Sequence, residues 1–197
     1  MHMVEYLSIT LFALWCMSEI VISLISWSNR SRGWSVGGDR WSYVIVWMST
    51  IPPVGFAYLI RAHPIIANGF GSLAPLFPLL GYVGCFMMVF GITMRLLAVA
   101  TLKRQFTLHV ALLEPHKIID TGMYSILRHP AYLGHLASLC GIGLVLGNGV
   151  GLMALVVLPL AGIVYRIHVE ERAFVQHFGA AYQTYARRTK RLLPGIW

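Results

Sequence analysis

The chain has 197 residues, 57% of them apolar and only 11% charged, with a mean hydropathy of +0.70 and a net charge of +8. A water-soluble domain carries about 25% charged residues, so a freely dissolved globule is excluded, and the length allows one domain. The basic residues sit in short segments between apolar runs, where they report membrane orientation rather than a nucleic-acid partner.

The first segment, "MHMVEYLSIT", lacks the basic start and small-residue cleavage site of a secretion signal and reads as the beginning of a retained membrane helix. Crossing a bilayer takes about 20 mostly apolar residues. Residues 6–27 qualify, with Glu19 as their one charge. That charge is costly in lipid, but no partner can be placed near it, so helix packing is its expected role. Residues 41–60 qualify without a charge, and "TIPPVG" at 50–55 is expected to kink or locally break that helix. Residues 73–94 form a third span, continuing past Arg95 towards Leu102.

The run 130–165 is free of Asp, Glu, Lys and Arg for 36 residues, too long for one crossing. The turn signal "GNG" at 147–149 divides it into a helical hairpin, roughly 131–147 and 150–168. The expected fold is therefore an all-α integral membrane protein with about five transmembrane helices. A cytosolic loop precedes the hairpin and a C-terminal amphipathic helix follows it. In the tail, Phe174, Phe178, Tyr182 and Tyr185 share a helical face, which predicts a helix lying on the membrane surface. With the N-terminus outside, 13 of the 15 Lys and Arg residues fall in the inner segments, Arg95 lies at the inner end of the third span, and only Arg61 is outside. The C-terminus is then cytosolic.

Few side chains in this chain can do chemistry. Cys16, Cys85 and Cys140 lie inside apolar segments without metal-like spacing, so no zinc or disulfide framework is expected. No HExxH pattern supports a metal. Glycines 141, 143, 147, 149 and 151 follow no strand and precede no Lys-Ser/Thr; close helix packing explains them better than phosphate binding. Arg166 and Glu170 share a face at the inner end of the last span, readable either as a helix-end ion pair or as a site. Glu171 points about 100° away and is expected to be solvated. His129 stands before Pro130, which suits the first turn of the fourth span. The open N–H groups there form a weak anion site. His135 is expected to be an interhelical hydrogen-bond partner, and His109 and His116 to face solvent in the loop.

Four stretches occur in order around the hairpin: "HKIIDTGMYSILRHPAYLG" at 116–134, "RIHVEE" at 166–171, "FGAAYQTY" at 178–185 and "RLLP" at 191–194. Together they resemble the isoprenylcysteine carboxyl methyltransferase family, related to phospholipid methyltransferases. The resemblance covers about Phe106 to Pro194; the first three spans share only hydrophobicity. It implies one membrane domain over 1–197, with three lipid-facing spans in 1–101 and the cofactor loop, hairpin and tail in 102–197.

The implied activity is methyl transfer from S-adenosylmethionine to the carboxylate of a lipidic or prenylcysteine-like substrate, at the cytosolic face of a multi-pass protein. The implied partners are a lipidic or prenylated small molecule and membrane lipids, with no nucleic acid and no metal. By motif, His116, Lys117, Ile118 and Ile119 cradle the adenosyl part of the cofactor. Tyr124, His129, Pro130, Ala131 and Tyr132 contact it, Glu170 binds it, and Arg166 holds the substrate. One polar cofactor contact upstream of His116 has no counterpart in "HVALLEP". Arg128 is expected to assist or to anchor the membrane edge. Two alternatives stand beside this reading: methylation of a phospholipid or other amine, which would require a base to deprotonate the acceptor, and a non-catalytic membrane binding protein.

Overall fold

The computed structural model describes residues 2–30, 34–35, 40–67, 69, 71–73, 76, 79–108, 111–112 and 118–193. Helix α1 spans His2–Arg30, β1 Trp34–Ser35, α2 Arg40–Ala62, α3 Pro64–Ala67 and α4 Leu79–Leu102; β2 covers Ala111–Leu112. Then α5 runs Pro130–Leu146, α6 Gly149–Phe178 and α7 Ala180–Arg188. Helices α1, α2, α4 and α6 are long and apolar enough to cross a membrane. The protein is a multi-pass helical membrane bundle, with one two-residue strand pair among the described residues: β1 and β2 pair antiparallel, Trp34 opposite Leu112, and join the two loops at the same end.

The fifth crossing element, α5, has 17 residues, about 26 Å at 1.5 Å per residue. It lies along α4, held close by glycines. A Cβ on Gly91 would come within 2.5 Å of Gly134 O and of Ser138 N; one on Gly141 would meet Gly84 O at 2.5 Å. Only hydrogen fits there, so the small residues set the α4–α5 approach. Gly143 packs nearly as tightly, with Leu152 at 2.7 Å, and Gly151 more loosely, with Ala57 at 3.2 Å. Gly147 differs: nothing crowds its Cβ position, and its φ of +72° closes α5 in the left-handed conformation. Asn148 then caps α6, accepting from Val150 N and Gly151 N. The segment 71–73 covers this turn through Leu73 N to Gly147 O (2.8 Å) and Gly149 N to Gly71 O (2.7 Å).

Several expectations change. The third span is expected from residue 73, and its described helix begins at Leu79. Helix α2 runs through Pro52 and Pro53 without a break, so of the expected kink or local break the break does not occur; its neighbour α6 packs along it. Helix α6 runs ten residues beyond the expected end at 168, so "VEERAFVQHF" is a continuation of the span. The tail helix breaks at Gly179 (φ +55°). Phe174 and Phe178 therefore belong to α6, while Tyr182 and Tyr185 belong to α7, and all four line one cleft of the protein.

Candidate functional site: a charged, aromatic-walled cleft

The C-terminal end of α4, the N-terminal end of α5 and the extension of α6 meet at one end of the bundle. Between them lies a cleft of about 990 Å³ including its open mouth. Its floor is Arg95, Ala131 and Tyr132; Gln105 to Leu108 and Ile118–Ile119 form one side, and Phe174, Phe178, Tyr182 and Tyr185 form the other. Arg128, His129 and Glu170 supply its charge.

The corner "RHP" is built by the returning tail. Arg128 N donates to Lys190 O (2.7 Å) and His129 N to Arg191 O (3.0 Å), while Lys190 N donates to Ile126 O (2.9 Å). These bonds lay the tail beside the residues that enter α5. The Arg128 guanidinium is committed to this join, donating to Ala186 O and Thr189 O at 2.7 Å and to Glu171 Oε1 at 2.7 Å. Neither expected role of Arg128 is its main one: it fastens the tail. Glu171 also accepts from Arg191 Nε at 2.9 Å. The expectation of a solvated Glu171 is thus corrected, because the tail folds back over the α6 face where Glu171 sits.

Arg166 is 1% exposed. Its Nε donates to the Tyr132 hydroxyl and to Glu170 Oε1, both at 3.1 Å; Nη1 donates to Ser42 Oγ at 2.5 Å, and Nη2 to Leu108 O at 2.9 Å. The Tyr132 hydroxyl donates to Glu170 Oε1 at 2.9 Å. The other Glu170 oxygen, Oε2, lies 3.5 Å from His129 Nδ1. His129 Nε2 is buried without a hydrogen bond, with Glu171 Oε1 at 3.5 Å as its nearest acid. The His129 ring stacks on Tyr132, with centroids 5.7 Å apart.

The tyrosines of the far wall are held neutral. Burial pushes the Tyr124 and Tyr182 hydroxyls well up, and burial pushes Tyr185 up to about 12. Tyr185 donates to Tyr124 O at 2.8 Å, tying α7 to the turn before α5.

Of the residues singled out from sequence, Ile118, Ile119, Tyr124, His129, Ala131, Tyr132 and Glu170 line this one cleft. Pro130 is the first residue of α5, beside them. Arg166 stands behind Tyr132, on a second, smaller void inside the bundle. His116, Lys117 and His109 lie outside the described residues.

Sequence reasoning missed two residues of this region. Glu19 does have a partner: Arg95 Nη2 donates to its Oε2 at 2.8 Å, and His135 Nδ1 lies 3.3 Å from its Oε1. Arg95 is buried. The signal was available, since two opposite charges inside apolar spans are cheapest when paired. Which span lay beside which was not. Among the described residues no three His, Cys, Asp or Glu side chains converge on a metal geometry.

Fold and cleft define a multi-pass membrane protein with an open, aromatic-walled cleft at one end of its helical bundle. The model of the isoprenylcysteine carboxyl methyltransferase family matches residues 83–176. A rice protein (Oryza sativa subsp. indica) described as a probable protein-S-isoprenylcysteine O-methyltransferase is 35% identical over 152 residues, covering 70% of this chain and 79% of its own. The Saccharomyces cerevisiae protein-S-isoprenylcysteine O-methyltransferase is 30% identical over 117 residues, covering 58% of this chain and 48% of its own. A solved eukaryotic intramembrane Ras methyltransferase of this family superposes with a TM-score of 0.60 at 21% identity, over 74% of this chain and 53% of its own. The chain belongs to the isoprenylcysteine carboxyl methyltransferase family, and it is an O-methyltransferase embedded in the membrane.

Proposed function

We propose that the chain moves a methyl group from S-adenosylmethionine to the carboxylate of a lipid-tailed, prenylcysteine-like acceptor. The observation that carries this reading is the arrangement of Glu170, Tyr132 and Arg166: a carboxylate on the open cleft, a buried guanidinium bonded to it, and a hydroxyl bonded to both. A small polar cofactor and a lipidic acid then meet beside the Tyr132 hydroxyl. The cleft suits the cofactor on its own chemistry. Aromatic faces and a carboxylate attract a sulfonium cation, and the unbonded His129 Nε2 is a buried polar atom in need of a partner. Glu170, Tyr124, His129, Pro130, Ala131, Tyr132, Ile118 and Ile119 would hold it, with His116 and Lys117 assigned by motif.

When bound, S-adenosylmethionine supplies an electrophilic methyl group on a positively charged sulfur. The residues of the chain do the rest by position. An acceptor carboxylate is ionised at neutral pH and needs no base. Arg166 fixes it through charge-assisted bonds, and the attack distance to be held is about 3–3.5 Å. Glu170 keeps the cofactor side apart from the acceptor side. The positive-inside pattern supports a cytosolic cleft and C-terminus with an outer N-terminus.

The test is calorimetry of the purified protein with S-adenosylhomocysteine, followed by radiolabelled methyl transfer to a farnesylated cysteine and to phosphatidylethanolamine. Binding, with label on the cysteine carboxylate only, is the expected result. Label on the amine lipid alone would move the reading to an N-methyltransferase, and absence of cofactor binding would end it.

A further inference from the structure

A second arginine faces the same interior as Arg166. Between α1, α2, α4, α5 and α6 lies a small void whose polar wall is Glu19, Thr50, Arg95, Tyr132, His135 and Arg166. It touches the cleft through Arg95 and Tyr132, which line both. On its other side it touches an apolar groove between α1 and α2, with Glu19 and Trp47 common to both. The void has room for little more than a water, so a polar head enters between the two cations only as Glu19 and Arg95 part, with its greasy tail along the groove.

Arg95 is the cation with capacity to spare. It is 5% exposed and carries five N–H donors. Two make hydrogen bonds, to Ala131 O at 3.1 Å and to Glu19 Oε2 at 2.8 Å. Its Nε lies 2.7 Å from Glu19 Oε1 but is not aligned for a hydrogen bond. Glu19 in turn does not depend on Arg95 alone. His135 Nδ1 is 3.3 Å from Glu19 Oε1, while His135 Nε2 is 3.3 Å from the Thr50 hydroxyl. One tautomer serves both contacts, with Nδ1–H donating to Glu19 and Nε2 accepting from Thr50. The void's two cations are each paired as the protein stands: Arg95 with Glu19 in the void itself, and Arg166 with Glu170 on the cleft side.

We propose that this void receives the methyl acceptor's carboxylate between Arg95 and Arg166, and that Glu19 occupies Arg95 in its place until the acceptor arrives. The inference rests on the carboxylate reading of the proposed function. Glu19 is then a positioning residue that acts through Arg95. When the acceptor enters, the guanidinium turns its unused edge to the new carboxylate, and Glu19 stays on His135. An isolated buried carboxylate would be too costly, and the His135–Thr50 pair is what makes the exchange affordable. The extra negative charge of the acceptor is matched by the positive sulfur of the cofactor next door.

A purely structural ion pair and this exchange predict opposite behaviour. If Glu19 and Arg95 only brace the spans, removing either charge leaves the other buried alone, and both changes impair the enzyme alike. If Glu19 competes with the acceptor, Glu19→Gln should lower KM for a farnesylated cysteine several-fold. Arg95→Gln should raise it at least tenfold. S-adenosylhomocysteine affinity should stay within about threefold in Glu19→Gln, and measurable binding of it shows that each variant is folded. Arg95→Lys keeps the charge but loses the fork, and should raise KM by an intermediate factor; it replaces Arg95→Gln if that variant no longer binds S-adenosylhomocysteine. A rise of KM in Glu19→Gln, or an unchanged KM in the Arg95 variant that binds cofactor, overturns the proposal. Failure of the unaltered chain to methylate the carboxylate is read separately and removes the acceptor reading itself, and this inference with it.

Discussion

Arg166 shows how one side chain can belong to a structure and to a site together. Its guanidinium reaches Ser42 on α2, Leu108 in the segment after α4, Tyr132 on α5 and Glu170 one turn on along α6. The spacing of four residues placed Arg166 and Glu170 on one face in the sequence. It left open whether they hold each other or two different molecules. The structure shows the pair formed at 3.0 Å, with Glu170 lining the cleft and Arg166 lining the inner void. From that division of surfaces, Arg166→Ala should mainly impair methyl acceptance and leave cofactor affinity within a few-fold. Glu170→Ala should lose cofactor affinity by about 1.5–3 kcal/mol, the worth of a hydrogen bond to a charged group. Exchanging the two, Arg166→Glu with Glu170→Arg, puts each charge on the wrong side of Tyr132 and should restore neither. Calorimetry and turnover on the three variants check this; recovered activity in the exchange would reduce the pair to a helix brace.

At the scale of elements, the tail carries the largest departure from what periodicity implied. Spacings of 4, 4 and 3 between aromatic residues describe an apolar face but do not say what covers it. Gly179, with φ at +55°, turns the chain between α6 and α7, and the aromatic face closes over the cleft. The closure is held by buried tyrosine hydroxyls, which gives it a pH signature. Tyr185 donates to Tyr124 O at 2.8 Å, and burial raises its hydroxyl to about 12 from an ordinary 10. The unfolded chain therefore loses this proton before the folded chain does. Its stabilising contribution is complete below pH 10 and is lost as pH rises through about 12. Thermal melts in detergent between pH 9 and 12 should show stability falling above pH 10. Tyr185→Phe should be less stable than the unaltered chain near neutrality, with a shallower alkaline decline. An alkaline slope unchanged by the substitution would mean that α7 is not held this way.

For the whole molecule, the proposed direction in the membrane rests on where the cations lie. Arg30, Arg40, Lys103, Arg104, Arg128 and the cluster from Arg187 to Arg191 flank helix ends at the cleft end of the bundle, and Arg61 ends α2 at the other. Cations are retained on the cytosolic side. Ile65, which is 90% exposed at the far end, should therefore react with an impermeant thiol reagent from outside as Ile65→Cys. Lys190→Cys should react only after the cells are opened. The reverse pattern, or both on one side, would end the assigned orientation.

Hydropathy by itself determined the membrane setting, the division into spans and the hairpin turn, since an apolar stretch of a given length in lipid has few alternatives to a helix. The "GNG" turn was legible for the same local reason: Gly147 takes the left-handed conformation and Asn148 caps the next helix, and both depend on neighbouring residues alone. Motif order determined the family. Contacts between elements were decided only by the tertiary structure. Glu19 and Arg95 are 76 positions apart, Arg166 and Ser42 are 124 apart, and Glu171 is covered by a tail that folds back upon it. No periodicity carries such pairings. They arise because glycines bring α4 and α5 within backbone contact and because charges left in an apolar bundle must find one another.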